Sequence, residues 1–375
     1  MSNIAWLVLE DGTAYQGRAV GAEGERFGEA VFNTSMTGYQ EILTDPSYKG
    51  QLVCMTTPHI GNYGVNEDDA ESSRPWVEGF VVRELSSITS NFRAQMSLES
   101  YLKQHGVVAI DGVDTRALTL KLRQEGAMKA GLSTTERDPA RLLARVRAAP
   151  SIVGADMVKE VTCRQPYEWP PTEDRRQKAE DGTISLTHHV VVVDYGVKFN
   201  ILRELAALGC YVNVVPATMS ASDIVAMKPD GVVLSNGPAD PAAVMYGIQT
   251  IRGLMGHVPM MGICLGHQLL GLAFGGKTFK LKFGHHGGNH PVKDVATGAV
   301  QITTQNHGFA IDVDSIPNHH VEITHVNLND QTVEGMRHTE LPIFSLQYHP
   351  EAAPGPHDAR HLFRRFLEML GTVHA

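Results

Sequence analysis

The chain has 375 residues, 42% hydrophobic and 19% charged, a balance that fits a soluble globular protein with room for two separate cores. Its formal charge of −9, from 32 basic and 41 acidic residues, argues against a nucleic-acid partner held on a basic face. The cysteines (Cys54, Cys163, Cys210, Cys264) are scattered without a CxxC pair, which argues against a zinc knuckle or disulfide framework and for reduced thiols in the cytoplasm.

Residues 4–9 predict a strand running into Asp11-Gly12, a hairpin turn signal, and no basic segment precedes them as in a signal peptide. Short apolar strands follow at 30–32, 52–56 and 79–82, separated by Pro- and Gly-containing loops at 44–48 and 58–62. Helices are predicted over 98–104, where Leu98, Tyr101 and Leu102 recur at helical spacing, and over 115–124, where Leu118 and Leu122 share a face. These elements make a β-rich first domain over residues 1–152. Residues 165–182 mix prolines with charges and show no apolar period, so 153–186 reads as an inter-domain linker.

From His189 strand and helix alternate. Residues 190–194 form a β-branched run suited to a strand buried on both faces, 198–208 a helix with Ile201, Leu202 and Leu205 on one side, and 211–215 a second strand. Ser220 and Asp223 stand at capping-box spacing before the next helix. Strand 231–234 runs into the loop Ser235-Asn-Gly-Pro-Ala-Asp-Pro241, and a helix near 243–255 leads to residues 258–263. The fold class is therefore a β-rich N-terminal domain followed by a doubly wound, mostly parallel α/β domain over residues 187–375. No stretch reaches membrane-spanning length, so no membrane partner is expected.

The chemistry centres on Gly262-Ile263-Cys264-Leu265-Gly266. A nucleophile flanked by glycines two positions either way marks a strained strand-to-helix turn, because side chains there would collide with neighbouring backbone. The helix N-terminus behind such a turn favours the thiolate. A late apolar strand, 343–348, ends in His349-Pro350-Glu351. If that strand is parallel to the one before Cys264, His349 reaches the same rim, and Glu351 can fix its tautomer. Standing alone, His-Pro-Glu would read as an ordinary helix start.

Gly262-Ile-Cys-Leu-Gly-His-Gln268, the Ser-Asn-Gly-Pro loop at 235–238 and His349-Pro-Glu351 together resemble the class I glutamine amidotransferase domain. Motifs at 283–291, 304–309 and 354–358, with 32–41, 44–47 and 58–62 in the first domain, resemble the small-chain family of carbamoyl-phosphate synthase. The first-domain motifs discriminate this family from other amidotransferases, and the match spans both domains.

The resemblance implies hydrolysis of L-glutamine by Cys264, His349 and Glu351 through a glutamyl thioester, with the backbone N–H groups of Leu265 and Gly237 facing the oxyanion. It also implies glutamine contacts from Gln268, Asn306, Gly308, Phe309 and the loop at Ala239, and one contact, Ser47, from the first domain. Where the family usually has glycine, this loop has Ala239; a negative φ is expected there, since a positive one costs roughly 1–2 kcal/mol. His285, His286 and His290 are expected in a glycine-rich loop of hydrogen-bonding histidines, with no metal. No phosphate-binding glycine motif occurs, so no cofactor is expected in this chain. ATP and its metal ions would belong to a large partner chain, with which this chain would form a heteromer, open to higher order, that makes carbamoyl phosphate for arginine and pyrimidine synthesis. The alternatives are an amidotransferase subunit serving another acceptor, a cysteine hydrolase of peptides or γ-glutamyl compounds, and a silent interaction module.

Overall fold

A computed structural model describes residues 4–169, 188–317 and 320–373. The chain divides into two compact units: Met1–Ala155 with Leu281–Gly288 and Ala353–Gly355, and Asp156–Lys280 with Asn289–Ala352 and Pro356–Ala375.

The first unit is a closed barrel in the strand order Ile4–Leu9, Ala14–Ala19, Val108–Asp111, Gly79–Val81, Gln51–Met55, Glu25–Asn33 and Met128–Ser133. Asp11-Gly12 turns the first hairpin as expected: Gly12 has φ 98°, and the Asp11 carboxylate accepts the Thr13 N–H. Closure removes the exposed edges that a sheet of short strands would otherwise leave. The predicted helix over 98–104 is Leu98–Gln104, and that over 115–124 is Thr115–Glu125, each N-capped by a side chain (Ser97, Asp114). The helix Pro139–Ala148 was not expected; Asp138 caps it and its buried Leu142 and Val146 pack on Val8.

The second unit holds a ten-stranded sheet. Its centre is parallel: Cys210–Pro216, His188–Asp194, Gly231–Leu234, Met260–Ile263 and Ile343–Leu346 lie side by side in that order. Val191 and Val193 join one core and Val190 and Val192 the other, which is why this run needs apolar residues at every position. Helices Met245–Leu254 and Leu265–Ala273 cover the first face, Phe199–Ala207 and His361–Val373 the second. Ser220 caps Ala221–Ala226 by accepting the Asp223 N–H, and its hydroxyl donates to the Asp223 carboxylate at 2.6 Å.

Two expectations are corrected. Part of the supposed linker is built structure: Val158–Val161 is a short helix with Val158 in the core, and Tyr167–Trp169 adds an antiparallel edge strand to Cys210–Pro216. Residues 170–187 of that segment lie outside the described ones. The histidine-rich stretch is not a loop but lies inside the strand Lys277–Asp294, where Gly284 (φ 74°) and Gly287 (φ 153°) break the regular backbone.

Candidate active site

The buried strand Met260–Ile263 delivers Cys264 at φ 53°, ψ −102°, as N-cap of the helix Leu265–Ala273. The flanking glycines are required by contact. A Cβ at Gly266 would stand 2.2 Å from the Leu234 carbonyl oxygen, and one at Gly262 would stand 2.9 Å from the Gly266 backbone. The Cys264 N–H donates to the Leu346 carbonyl at 2.8 Å, tying the elbow to the neighbouring strand. The Cys264 thiol donates to the Asn306 carbonyl at 3.5 Å.

Met260–Ile263 and Ile343–Leu346 pair in parallel, Ile263 opposite Leu346. One residue beyond that register lies Cys264, and three beyond it His349, so both emerge at the carboxyl rim. His349 is anchored by its N–H to the Thr304 carbonyl at 2.9 Å. Its Nδ1 lies 2.7 Å from Glu351 Oε1, and both side chains are buried. An ionised carboxylate only accepts, so Nδ1 carries the proton and Nε2 is left to face reactants. The imidazole's other polar partner is the Cys264 side chain.

The electrostatics follow from burial and pairing. Burial disfavours the imidazolium, but the Glu351 charge and the Cys264 sulfur outweigh it and hold His349 at about 10. Burial would likewise raise Glu351, but Lys198 and His349 hold it at about 2.

Lys198 was not anticipated. It is 2% exposed, its ammonium stands 3.1 Å from Glu351 Oε1, and it also donates to the Ala352 carbonyl. Asn200 donates to the Glu351 carbonyl. The turn that presents Lys198 is held by Asp194, which accepts the N–H groups of Gly196, Val197 and Cys163, and by Asn236, which accepts the Lys198 N–H. A signal was present in the sequence: a lysine at a helix N-terminus opposes the macrodipole and calls for an anionic partner.

The predicted ligand residues fall as follows. Gly237 lies beside the elbow, since a Cβ on it would stand 2.2 Å from the Tyr195 carbonyl oxygen and 2.7 Å from Leu265 Cδ2. Ala239 contradicts expectation: its φ is +68°, the left-handed region. Asp240 fixes the next turn through the Ala242 N–H, and Ala239 bears the strain. Gln268 is buried, with its amide nitrogen donating to the Phe309 carbonyl (2.8 Å) and to Gln347 Oε1 (3.0 Å), so it braces the strand Val300–Asp312. Asn306 and Phe309 are buried on that strand, and a Cβ on Gly308 would meet only Lys280 Nζ, at 4.0 Å. Ser47 lies buried in the first unit's turn Pro46–Tyr48, its N–H donating to the Asp45 carboxylate at 2.9 Å. Behind the strand, Glu334 accepts from Gln305 and Asn327, a buried network that sequence reading did not find. No described helix is long and apolar enough to cross a membrane.

Such an elbow–imidazole–carboxylate set can run acyl transfer through a thioester. Comparison with known proteins narrows this. Residues 7–132 match the family described as carbamoyl-phosphate synthase small chain, CPSase domain, and residues 191–369 match glutamine amidotransferase class-I. The chain is 56% identical over 369 residues to the carbamoyl phosphate synthase small chain of Syntrophotalea carbinolica, covering 98% of this chain and 97% of that one. It is 53% identical to the small chain of Aquifex aeolicus, covering 98% and 99%. It is 50% identical to the chloroplastic small chain of Oryza sativa, covering 98% and 82%.

Proposed function

The chain belongs to the carbamoyl-phosphate synthase small-chain family and carries its glutamine amidotransferase domain, and on that footing we propose that Cys264, His349 and Glu351 hydrolyse L-glutamine to glutamate and ammonia. The Cys264 thiolate attacks the side-chain carboxamide carbon, and the carbonyl electrons move onto oxygen. The N–H groups of Leu265 and Gly237 stabilise that oxyanion. As the electrons return, the C–N bond breaks and the His349 imidazolium gives its Nε2 proton to the departing nitrogen. Water then attacks the thioester, losing its proton to His349, and the C–S bond breaks to restore the thiolate. Glu351, charged through Lys198, holds Nδ1–H throughout.

One observation supports this most: parallel register puts the elbow cysteine and a carboxylate-bound histidine at adjacent strand ends. Glutamine contacts are assigned to Gln268, Asn306, Gly308, Phe309, the loop at Ala239, and Ser47. Ammonia in water at neutral pH is mostly protonated and non-nucleophilic. We therefore assign its consumer to a docked large chain, which binds ATP with its metal ions and makes carbamoyl phosphate for arginine and pyrimidine synthesis in the cytoplasm. The test measures ammonia release and carbamoyl phosphate synthesis by the parent and Cys264→Ser, with and without the large chain. Loss of glutamine use with retained synthesis from added ammonia is expected; equal glutamine use would sink the assignment.

A further inference from the structure

The strand Val300–Asp312 meets the catalytic groups through its backbone: the Thr304 carbonyl holds the His349 N–H at 2.9 Å, and the Asn306 carbonyl accepts the Cys264 thiol at 3.5 Å. The strand itself is held by a buried chain of polar side chains, Gln305, His307, Asn327 and Glu334, that no step of the reaction uses. Donor and acceptor valence fixes the charge along that chain. Thr303 Oγ1 donates its one proton to the His290 carbonyl at 2.9 Å, so toward Gln305, 3.2 Å away, it only accepts and faces the amide NH2. The same NH2 donates to Glu334 Oε2 at 2.9 Å. The Asn329 N–H donates to the Asn327 side-chain oxygen at 2.9 Å, which turns the Asn327 NH2 to Glu334 Oε1 at 2.7 Å. Glu334 thus receives a donor on each oxygen, the surroundings that favour an ionised carboxylate.

With its NH2 so committed, Gln305 offers only its carbonyl oxygen to His307 Nε2, at 2.9 Å, while the Phe309 carbonyl lies 2.7 Å from Nδ1. Neither oxygen can donate, so both ring nitrogens carry protons and His307 is an imidazolium. A buried imidazolium needs a counter-charge to offset its desolvation. Glu334, wholly buried on the strand Val333–His338, supplies it, with a carboxylate oxygen within 4.8 Å of a His307 nitrogen. The doubly donating ring then grips the strand at Gln305 and Phe309, bracketing Asn306 and Gly308. Gln268 holds the Phe309 carbonyl a second time, at 2.8 Å.

Resting on the functional reading above, we infer that Glu334 is a positioning residue for glutamine binding: its charge keeps His307 doubly protonated, and that ring holds residues 306–309 in the form that receives the substrate. The experiment compares the full chain as parent, Glu334→Gln and Glu334→Asp. Ammonia release gives kcat and KM, thermal melting follows the fold, and nitrogen NMR on isotope-labelled histidine reads the His307 ring, its signals assigned with a His307→Gln sample. The parent is expected to show two protonated ring nitrogens. Glu334→Gln, equal in shape but uncharged, loses one of those protons and raises KM at least about fivefold with kcat within about twofold. Glu334→Asp, which keeps the charge, keeps both protons and raises KM less. A parent with one unprotonated His307 nitrogen overturns the inference, even where a variant fails to fold. So does a Glu334→Gln chain with parental KM, or one that loses kcat and melting temperature while KM stays fixed; each leaves the functional reading intact. A parent that hydrolyses no glutamine sinks that reading and this inference with it, whatever the His307 signals show.

Discussion

The two units differ in where their most costly groups sit. The second unit takes charge out of water: Lys198, Glu351 and His349 meet in a buried group at the sheet's carboxyl rim. The first leaves apolar surface in water, with Ile88 and Phe92 exposed on a loop of a barrel closed at every edge. Each choice is unfavourable alone. Buried charges need each other to offset desolvation, and an exposed aromatic ring gains only when covered. The contrast sets dry, preorganised charge against apolar surface left in water.

The largest effect that bears on this contrast belongs to the sulfur. Cys264→Ser lowers glutamine hydrolysis at least about 1,000-fold, measured as ammonia release, without moving the melting temperature by more than a few degrees. Glu351→Gln follows, at roughly 10–100-fold in kcat, because a thiolate asks less of its base than a serine does. The same variant has a pH signature. His349 is raised from 6.5 to about 10, so the stability it contributes is complete below pH 6.5 and is lost as pH rises through about 10. Glu351 is lowered from 4.5 to about 2, so its contribution is complete above pH 4.5 and is lost as pH falls toward about 2. Denaturation curves of Glu351→Gln therefore show a smaller loss between pH 7 and 10 than the parent; identical slopes would mean that the buried charges are not coupled.

Smaller effects test the strained turns. Gly266→Ala forces a methyl against the Leu234 carbonyl and destabilises by about 1–3 kcal/mol in urea denaturation, with hydrolysis falling alongside. Ala239→Gly relieves left-handed strain at +68° but adds unfolded-state freedom, for a net gain of at most about 1 kcal/mol. A destabilised Ala239→Gly would show that the alanine methyl makes a contact outweighing its strain.

Much of the fold was readable because its signals are local. Leu98–Gln104 and Gly231–Leu234 appear at their expected bounds, since periodicity, capping serines and glycine stops act over a few residues. The long strands Lys277–Asp294 and Val300–Asp312 were missed because glycines and histidines mask a strand pattern whose regularity comes from its partner across the hairpin. Tyr167–Trp169 hid among prolines for the same reason: only its pairing with Cys210–Pro216 makes it a strand.

The catalytic candidates divide along the same line. Cys264, His349 and Glu351 could be proposed from the sequence, because the elbow glycine pattern is a short-range constraint, but joining His349 to Cys264 rested on an assumed parallel register and on the family resemblance. Lys198 was decided only in three dimensions, since it lies 153 positions from Glu351 and becomes its partner through the stacking of strands and the turn that Asp194 holds. The conformation of Ala239 was also beyond the sequence. An isolated alanine avoids positive φ, and only the closed loop between Ser235 and Pro241 compels it, because backbone geometry fixed by neighbours at both ends outweighs a penalty of about 1–2 kcal/mol.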